Sequence, residues 1–488
     1  MSSARHEQPS ESAAPSTLIR EVEVEGRIVD VRLQRGNVHE LGDSLTPRRG
    51  EEVVTAGGGA LIPGLHDHHL HLLAMAAARA SVKVGPPEVV TSGELASALR
   101  LGDRRLPAGA WLRAVGFHES VEPSMDRYWL DRVVRDRPVR VQHRSGRQWI
   151  LNSLAVVMCG LVSRPDRSFP GVERDRLGVP TGRLTGNDDQ FRGVWSSSDD
   201  LGPLVRESSM ELASYGVTGI TDATPYDEGK DIRPLVEALR NGLVLQHLVV
   251  MGSAALDPQP EDVDPAVLGP VKIVIADDAE FSLEEVVSQV RLARQQNRNV
   301  AVHCVTRIAL VLCLAALEEV GARPGDRIEH GAVVDHDLTA RLAGLGLLVV
   351  TQPNFIRERG DRYLEDVDPI DRDHLYPCGR LIRAGVGVAG STDAPFGHPD
   401  PWRAMTAAVQ RTSDSGRPLG LDERVSAERA MSLFSGRPDA PAGPARRVST
   451  GGVADLCLLH VPLAHALKDL QAAHVRVTWV RGRQVWPG

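Results

Sequence analysis

Apolar and polar positions alternate with a period of two near both ends of the chain. Residues 17–60 contain LIREVEVEG, RIVDVRLQRG and EEVVTAGGGALIPG, punctuated by glycine. The other end has the same texture in ADLCLLHVPL, VRVTWVRG and RQVW, after the Gly-rich stretch Ser449–Gly452. Such alternation predicts short strands with one buried face. Two β-rich ends around a long middle predict one small β-sandwich domain, built from residues 17–60 and 446–488.

The middle has a different rhythm. ALIPGLHDHHLH is followed by GVTGITDAT, LVLQHLVVM, VKIVIADD, NVAVHCVT, DRIEHGAVV, LGLLVVTQPNF and GVGVAGSTDAP. Most of these eight runs are rich in Val, Ile and Leu, as strands buried on both faces are. Stretches with helical spacing, such as SLEEVVSQVRLARQQN and RIALVLCLAALEEVG, lie between the later ones. Eight alternating units predict a (β/α)8 TIM barrel over residues 61–445. No G-x-G-x-x-G follows the first strand, which argues against an open dinucleotide-binding sheet. Residues 85–200 exceed any ordinary βα loop and predict an inserted subdomain after the first barrel strand.

Composition narrows the reading. The 488 residues suit one large barrel with an accessory domain. A net charge of -8 and the lack of a basic run argue against nucleic acid as a partner. The five cysteines are scattered with no C-x-x-C, so neither a disulfide framework nor a thiolate metal site is expected. They read as small buried apolar residues. Residues 1–16 are polar and Ser/Pro-rich, which predicts a disordered tail rather than a signal peptide. No apolar run of about 18 residues predicts a membrane span. A cytoplasmic protein is expected, with a small-molecule substrate and, for assembly, a homodimer.

Candidate chemistry sits at strand ends, where this fold gathers its catalytic groups. The first strand supplies His69 and His71, whose i, i+2 spacing turns both imidazoles to one side. Two neutral imidazoles can grip one divalent ion. The fifth, sixth and eighth strands supply His303, His330 and Asp393. Each alone has a plainer reading: a structural histidine, or for Asp393 a helix N-cap. Lys272 is one of four lysines, with Lys83, Lys230 and Lys468, and it alone lies inside a Val/Ile strand. A buried ammonium is costly, so its pKa should fall. A neutral amine can form a carbamate with carbon dioxide and so bridge two ions. The plainer alternative is a lysine that snorkels or pairs with a carboxylate.

The set PG-x-x-D-x-H-x-H, strand Lys, strand His, strand His and strand Asp resembles the amidohydrolase superfamily. RSGRQWILNS, PTGRL, ASYGVTGITDA, RIEHG, TQPNF, GSTDAP and GGVADLCLL resemble landmarks of its family 3 branch, which includes N-substituted formamide deformylases. The resemblance covers about residues 20–488. It implies that His69 and His71 hold a first metal with Asp393. It implies that a carboxylated Lys272 bridges to a second metal on His303 and His330. It implies zinc, as one ion or two, although these ligands also suit iron, manganese or nickel.

The implied reaction is hydrolysis of a C–N bond outside peptides: an amide, N-formyl, N-acyl or cyclic amide. Hydroxide generated on the metal attacks the carbonyl, and Asp393 shuttles the proton. Decarboxylation, isomerisation or hydration on the same platform is the alternative, and a non-catalytic binding relative is a third. The branch often carries His where this chain has Arg147, in SGRQW. Arg147 and Trp149 are the expected substrate contacts. A guanidinium there would suit an anionic substrate, and a surface arginine is the alternative. His66 and His68 form an offset second His-x-His, and Asp67 is expected to orient a ligand. The loop Ile356–Tyr363 (IRERGDRY) should face the site, where its arginines could favour acids; a solvated loop is the plainer reading.

Overall fold

A computed structural model describes residues 16–162, 171–186, 201–256, 260–275 and 282–487. The expected tail, apart from Ser16, and parts of the expected insertion lie outside these residues.

Eight parallel strands form one sheet: β1 (Leu65–Leu70), β2 (Val217–Asp222), β3 (His247–Gly252), β4 (Val267–Val274), β5 (Val300–Cys304), β6 (Arg327–His330), β7 (Leu348–Thr351) and β8 (Gly387–Gly390). Their spatial order is their chain order. The ends of the sheet meet after β8. Asp393 N donates to His69 O at 2.9 Å and His71 N to Ala394 O at 2.8 Å, closing a (β/α)8 barrel. Every residue of β1 and β2 is buried. Strands covered on both faces need an apolar sequence throughout, so a polar residue in them marks chemistry or a dedicated partner.

Helices between the later strands have legible starts. Thr306 caps Arg307–Val320 by accepting from Ala309 N at 3.2 Å. Ser282 and Glu285 form a reciprocal capping box for Leu283–Gln295. The expected loop Ile356–Tyr363 is instead part of a helix, Asn354–Asp366. Its Phe355, Ile356 and Gly360 are buried at helical spacing, so packing gives this charged stretch a fixed face.

The two chain ends together form two four-stranded sheets. Thr17–Val24, Arg27–Gln34, Asn37–Gly42 and Glu52–Thr55 make the first. Leu61–Pro63, Leu456–Leu459, Val475–Val480 and Arg483–Trp486 make the second. Ile19, Val31 and Leu33 of one share a core with Leu456, Leu458 and Trp479 of the other. Burial of such side chains contributes roughly 1.5–3 kcal/mol each before entropy is charged against it.

The chain divides into two compact units, one up to His71 together with Ser208–Gly488, the other Leu72–Glu207. The second unit has its own six-stranded sheet. Val82–Lys83, Leu112–Phe117 and Val139–His143 run parallel; Gln148–Leu151, Pro180–Thr185 and Val172–Arg174 continue antiparallel. Leu95, Leu99, Leu112, Phe117, Leu130 and Ile150 form its main core. All five cysteines are buried and none forms a disulfide. Among the described residues no helix is long and apolar enough to cross a membrane.

Candidate metal centre

His69 is the next-to-last residue of the buried strand β1, and His71 follows the strand. Asp393 reaches them from the segment after β8. Its Oδ1 lies 3.6 Å from His69 Nε2 and 3.5 Å from His71 Nε2. That oxygen is buried and has no hydrogen-bond partner among the described residues. Two imidazole nitrogens and an orphaned carboxylate oxygen thus face one another. A bare arrangement of this kind is unfavourable, and a divalent cation satisfies all three. The residues therefore fit a metal ion.

The other expected ligands adjoin this trio. Lys272 Nζ is 3.5 Å from His69 Nε2. The His330 ring centroid is 4.9 Å from that of His69 and 4.4 Å from that of His303. All six residues belong to one cluster at the C-terminal end of the barrel strands. The N-cap reading of Asp393 fails. The helix Pro401–Gln410 is capped by Asp400, which accepts from Trp402 N at 2.8 Å. Asp393 has φ +56°, and His330 has φ +69°. The left-handed region costs a non-glycine residue of order 1–3 kcal/mol. Both expected ligands are held there by the surrounding closure.

Electrostatics prepare the donors. Burial, with the Lys272 charge next, keeps the His69 pKa well below its ordinary value. Burial also lowers His330. Both rings are then neutral near pH 7, with lone pairs available. Burial opposes ionisation of Asp393, but His71, His69 and His330 outweigh it and lower its pKa. Lys272 is 3% exposed. Burial lowers its pKa as well, against the pull of Glu329 and Asp393.

Four orienting groups were not legible in the sequence. Glu329, in β6, accepts from His69 Nδ1, so Nε2 is the nitrogen turned to the centre. Arg327, two residues earlier on the same side of the strand, binds Glu329 and the His68 carbonyl. Thr224 Oγ1 lies 2.9 Å from His71 Nδ1. Gln352 Oε1 lies 2.8 Å from His330 Nδ1, and its own amide donates to Ser391 at 2.9 Å.

Asp67 orients backbone rather than a ring. It accepts from His69 N and Thr392 N, each at 3.2 Å, and from the Thr392 hydroxyl at 2.5 Å. It ties the first strand to the segment carrying Asp393. Burial raises its pKa to about 7, against the Thr392 bonds. His66 and His68 are fully buried and stacked 4.5 Å apart, apart from the trio. His66 Nε2 meets Thr221 Oγ1 at 2.9 Å.

Arg147 and Trp149 belong to the second unit. Trp149 is 4% exposed and packs with Leu151, Ala155, Val156, Leu161 and Leu184. Arg140 and Arg113 lie 5.6 and 5.8 Å from its ring centre. Arg147 is half-buried at the turn into Gln148–Leu151.

A family model described as "Amidohydrolase family" matches residues 52–486. An N-substituted formamide deformylase of Arthrobacter pascens is 26% identical over 485 residues, covering 88% of this chain and 89% of its own. A putative amidohydrolase, YtcJ, of Bacillus subtilis strain 168 is 24% identical, covering 79% and 80%. In fold, the chain is similar to an uncharacterized metal-dependent hydrolase of Pyrococcus horikoshii, with a TM-score of 0.72 and 19% identity, covering 94% of this chain and 100% of the other.

Proposed function

The chain is an enzyme of the amidohydrolase family, and from that premise we propose that it is a metal-dependent hydrolase of non-peptide C–N bonds in an amide, N-formyl, N-acyl or cyclic amide. One observation carries this reading: His69, His71 and Asp393 present three mutually facing ligand atoms, Asp393 Oδ1 buried without a hydrogen-bond partner, with Lys272, His303 and His330 beside them. The deformylase relative acts on an N-substituted formamide, which favours a small acyl group on nitrogen.

His69, His71 and Asp393 would hold one ion, with zinc the expected metal. His303 and His330 would hold a second, with Lys272 as its carbamate between them. A bound cation supplies a Lewis acid for the carbonyl oxygen and lowers the pKa of a water molecule. The remaining chemistry falls to the chain. Asp393 takes a proton from the attacking water and passes it to the leaving nitrogen. The water oxygen joins the acyl carbon as the C–N bond breaks, giving a carboxylic acid and an amine. Glu329, Thr224 and Gln352 hold the rings so that the ligand nitrogens stay turned to the centre.

Metal analysis of the purified protein, with a screen of N-formyl, N-acyl and lactam compounds, tests the reading. We expect bound metal and one acid plus one amine per turnover. Decarboxylated or isomerised products would move the chemistry to another class. A metal-free protein whose activity survives His303→Ala would overturn the mechanism. For Lys272, loading with 13C-labelled carbon dioxide should give a carbamate signal in the wild type that Lys272→Ala lacks.

A further inference from the structure

The helix Asn354–Asp366 follows β7 and carries the segment IRERGDRY. Most charged groups in and around it are matched. Arg357 pairs with Asp414, Arg362 with Glu365 and Asp366, and Asp361 with the hydroxyls of Ser413 and Ser415. Glu358 accepts from His398 N and the Asn354 amide. Arg359 is different. Among the described residues no carboxylate lies within ion-pair distance of it.

Its position ties it to the metal centre. Arg359 Nη2 donates to Phe396 O at 2.7 Å, and its guanidinium carbon lies 3.8 Å from the centre of the Phe355 ring. Phe396 N donates to Asp393 O at 2.8 Å. The Phe396 ring meets the His71 ring edge-on at 5.5 Å. Arg359 therefore stands one residue away from two of the expected ligands. Phe355, Ile356 and Tyr376 form an apolar cluster there, with Val333, Tyr363 and Phe396 against it. These side chains come from the segments that follow β6, β7 and β8, which is the catalytic face of the barrel.

A guanidinium has five N–H donors. One bond to a carbonyl and one stacked face leave most of them unspent, and Arg359 is only half-buried. Its remaining fork matches a carboxylate, which accepts two parallel bonds. The Asp393 and Glu358 carboxylates act on this cation from a distance without bonding its fork, and a free fork beside an apolar wall suits a ligand that brings its own anion.

We propose that Arg359 binds a carboxylate of the substrate, so that the enzyme acts on N-acylated or N-formylated compounds carrying an acid group and an apolar or aromatic part seated against Phe355 and Phe396. This deepens the amidohydrolase reading and rests on it.

The test compares N-formyl and N-acetyl derivatives of phenylalanine and leucine with their neutral primary amides on the zinc-loaded full chain. The readout is the ratio of kcat/KM, acid over amide, and the Kd of each compound for the Asp393→Asn protein. The wild type should favour the acids by about 10-fold or more. Arg359→Met should collapse that ratio by about 10–100-fold, mainly through KM, and Arg359→Lys should restore part of it. Arg362→Met, whose charge is matched on the outer face, should leave the ratio unchanged. Equal losses on acid and amide would overturn the proposal and make Arg359 a prop for the Phe396 turn. A wild type with no preference for the acids would overturn it too. Turnover of neutral formamides or lactams alone would sink the acid subsite while leaving the hydrolase reading intact. No turnover of any of these compounds by metal-loaded protein, with tight binding of the acids, would uphold the subsite and sink the hydrolase reading.

Discussion

Among the described residues, two groups of His and acidic side chains bring three ligand-type atoms within 4.8 Å of one another: His69, His71 and Asp393 in the barrel, and His118, Glu119 and His143 in the second unit. Their surroundings separate them. In the barrel, Nδ1–H of His69 donates a hydrogen bond to Glu329, which leaves the lone pair on Nε2. In the second unit the bonding is reversed. His118 Nδ1 accepts from Ser120 N at 3.2 Å, and His143 Nδ1 accepts from Ser145 N at 3.1 Å. A backbone N–H has no lone pair to offer, so each neutral ring must carry its proton on Nε2. His143 Nε2, which then carries the proton, lies 3.0 Å from the Glu119 carboxylate, close but with an alignment short of a good hydrogen bond. Convergence of ligand types is therefore not sufficient for a metal site. The partner of the far ring nitrogen decides whether the near one is a ligand or a donor.

The largest expected effect follows from the barrel group. Asp393→Asn should lower kcat/KM by about 10²–10⁴-fold, the usual range for a lost acid–base group. His71→Ala should also strip metal from the protein, seen by elemental analysis. Full activity in both variants would erase the distinction drawn between the two groups. The next effect probes the partner nitrogen itself. Glu329→Gln keeps the shape of the side chain but weakens its grip on the His69 proton. Metal affinity, read by competition with a chelator, should fall by about 10–100-fold. An unchanged affinity would mean that ring orientation comes from packing alone.

The sequence made the expected ligands conspicuous but not the groups that touch them, and the reason is physical. His69, His71, Lys272, His303, His330 and Asp393 are conspicuous because each interrupts or ends a run of apolar strand residues. Glu329 interrupts a strand as well, within RIEH, but its meaning depends on His69, 260 positions away. Gln352 and Thr224 lie just past their strands, where polar residues are ordinary. Their roles depend on which strands the barrel makes neighbours. The eight strands were legible from their apolar runs for the same reason that makes them strands: both faces are covered. The segment 356–363 read as a loop because its charges outnumber its apolar residues, yet buried Phe355, Ile356 and Gly360 are enough to fix a helix. Trp149 stood out in a motif, and in the second unit its ring is packed with Leu151 and Leu184. Asp393 read equally as a cap or a ligand until its left-handed backbone and the competing cap Asp400 were seen.

The second unit supplies the opposite prediction. His118→Ala together with His143→Ala should leave the metal content of the protein unchanged, measured per chain after gel filtration. A lost equivalent would show that the ring protons rearrange when metal is offered. It would also remove the tautomer argument made for both groups.

The smallest effect comes from Glu119 in acid. Its carboxyl pKa is lowered from 4.5 to about 2, chiefly by the close His143 N–H, against a smaller burial cost. A depressed carboxylate pKa stabilises the fold above the unfolded value and loses that contribution as the pH falls through the folded value. The stabilisation from Glu119 should thus be present above about pH 4.5 and fade between there and about 2. Its side chain is 41% exposed, so solvent screening limits the effect to under about 1 kcal/mol. Glu119→Gln should lower the urea midpoint slightly at pH 7, and the gap from the wild type should narrow as the acid range is entered. A gap that is constant with pH would show that the His143 contact acts without charge. A gap that vanishes when metal is added would reveal that Glu119 and His143 are ligands after all.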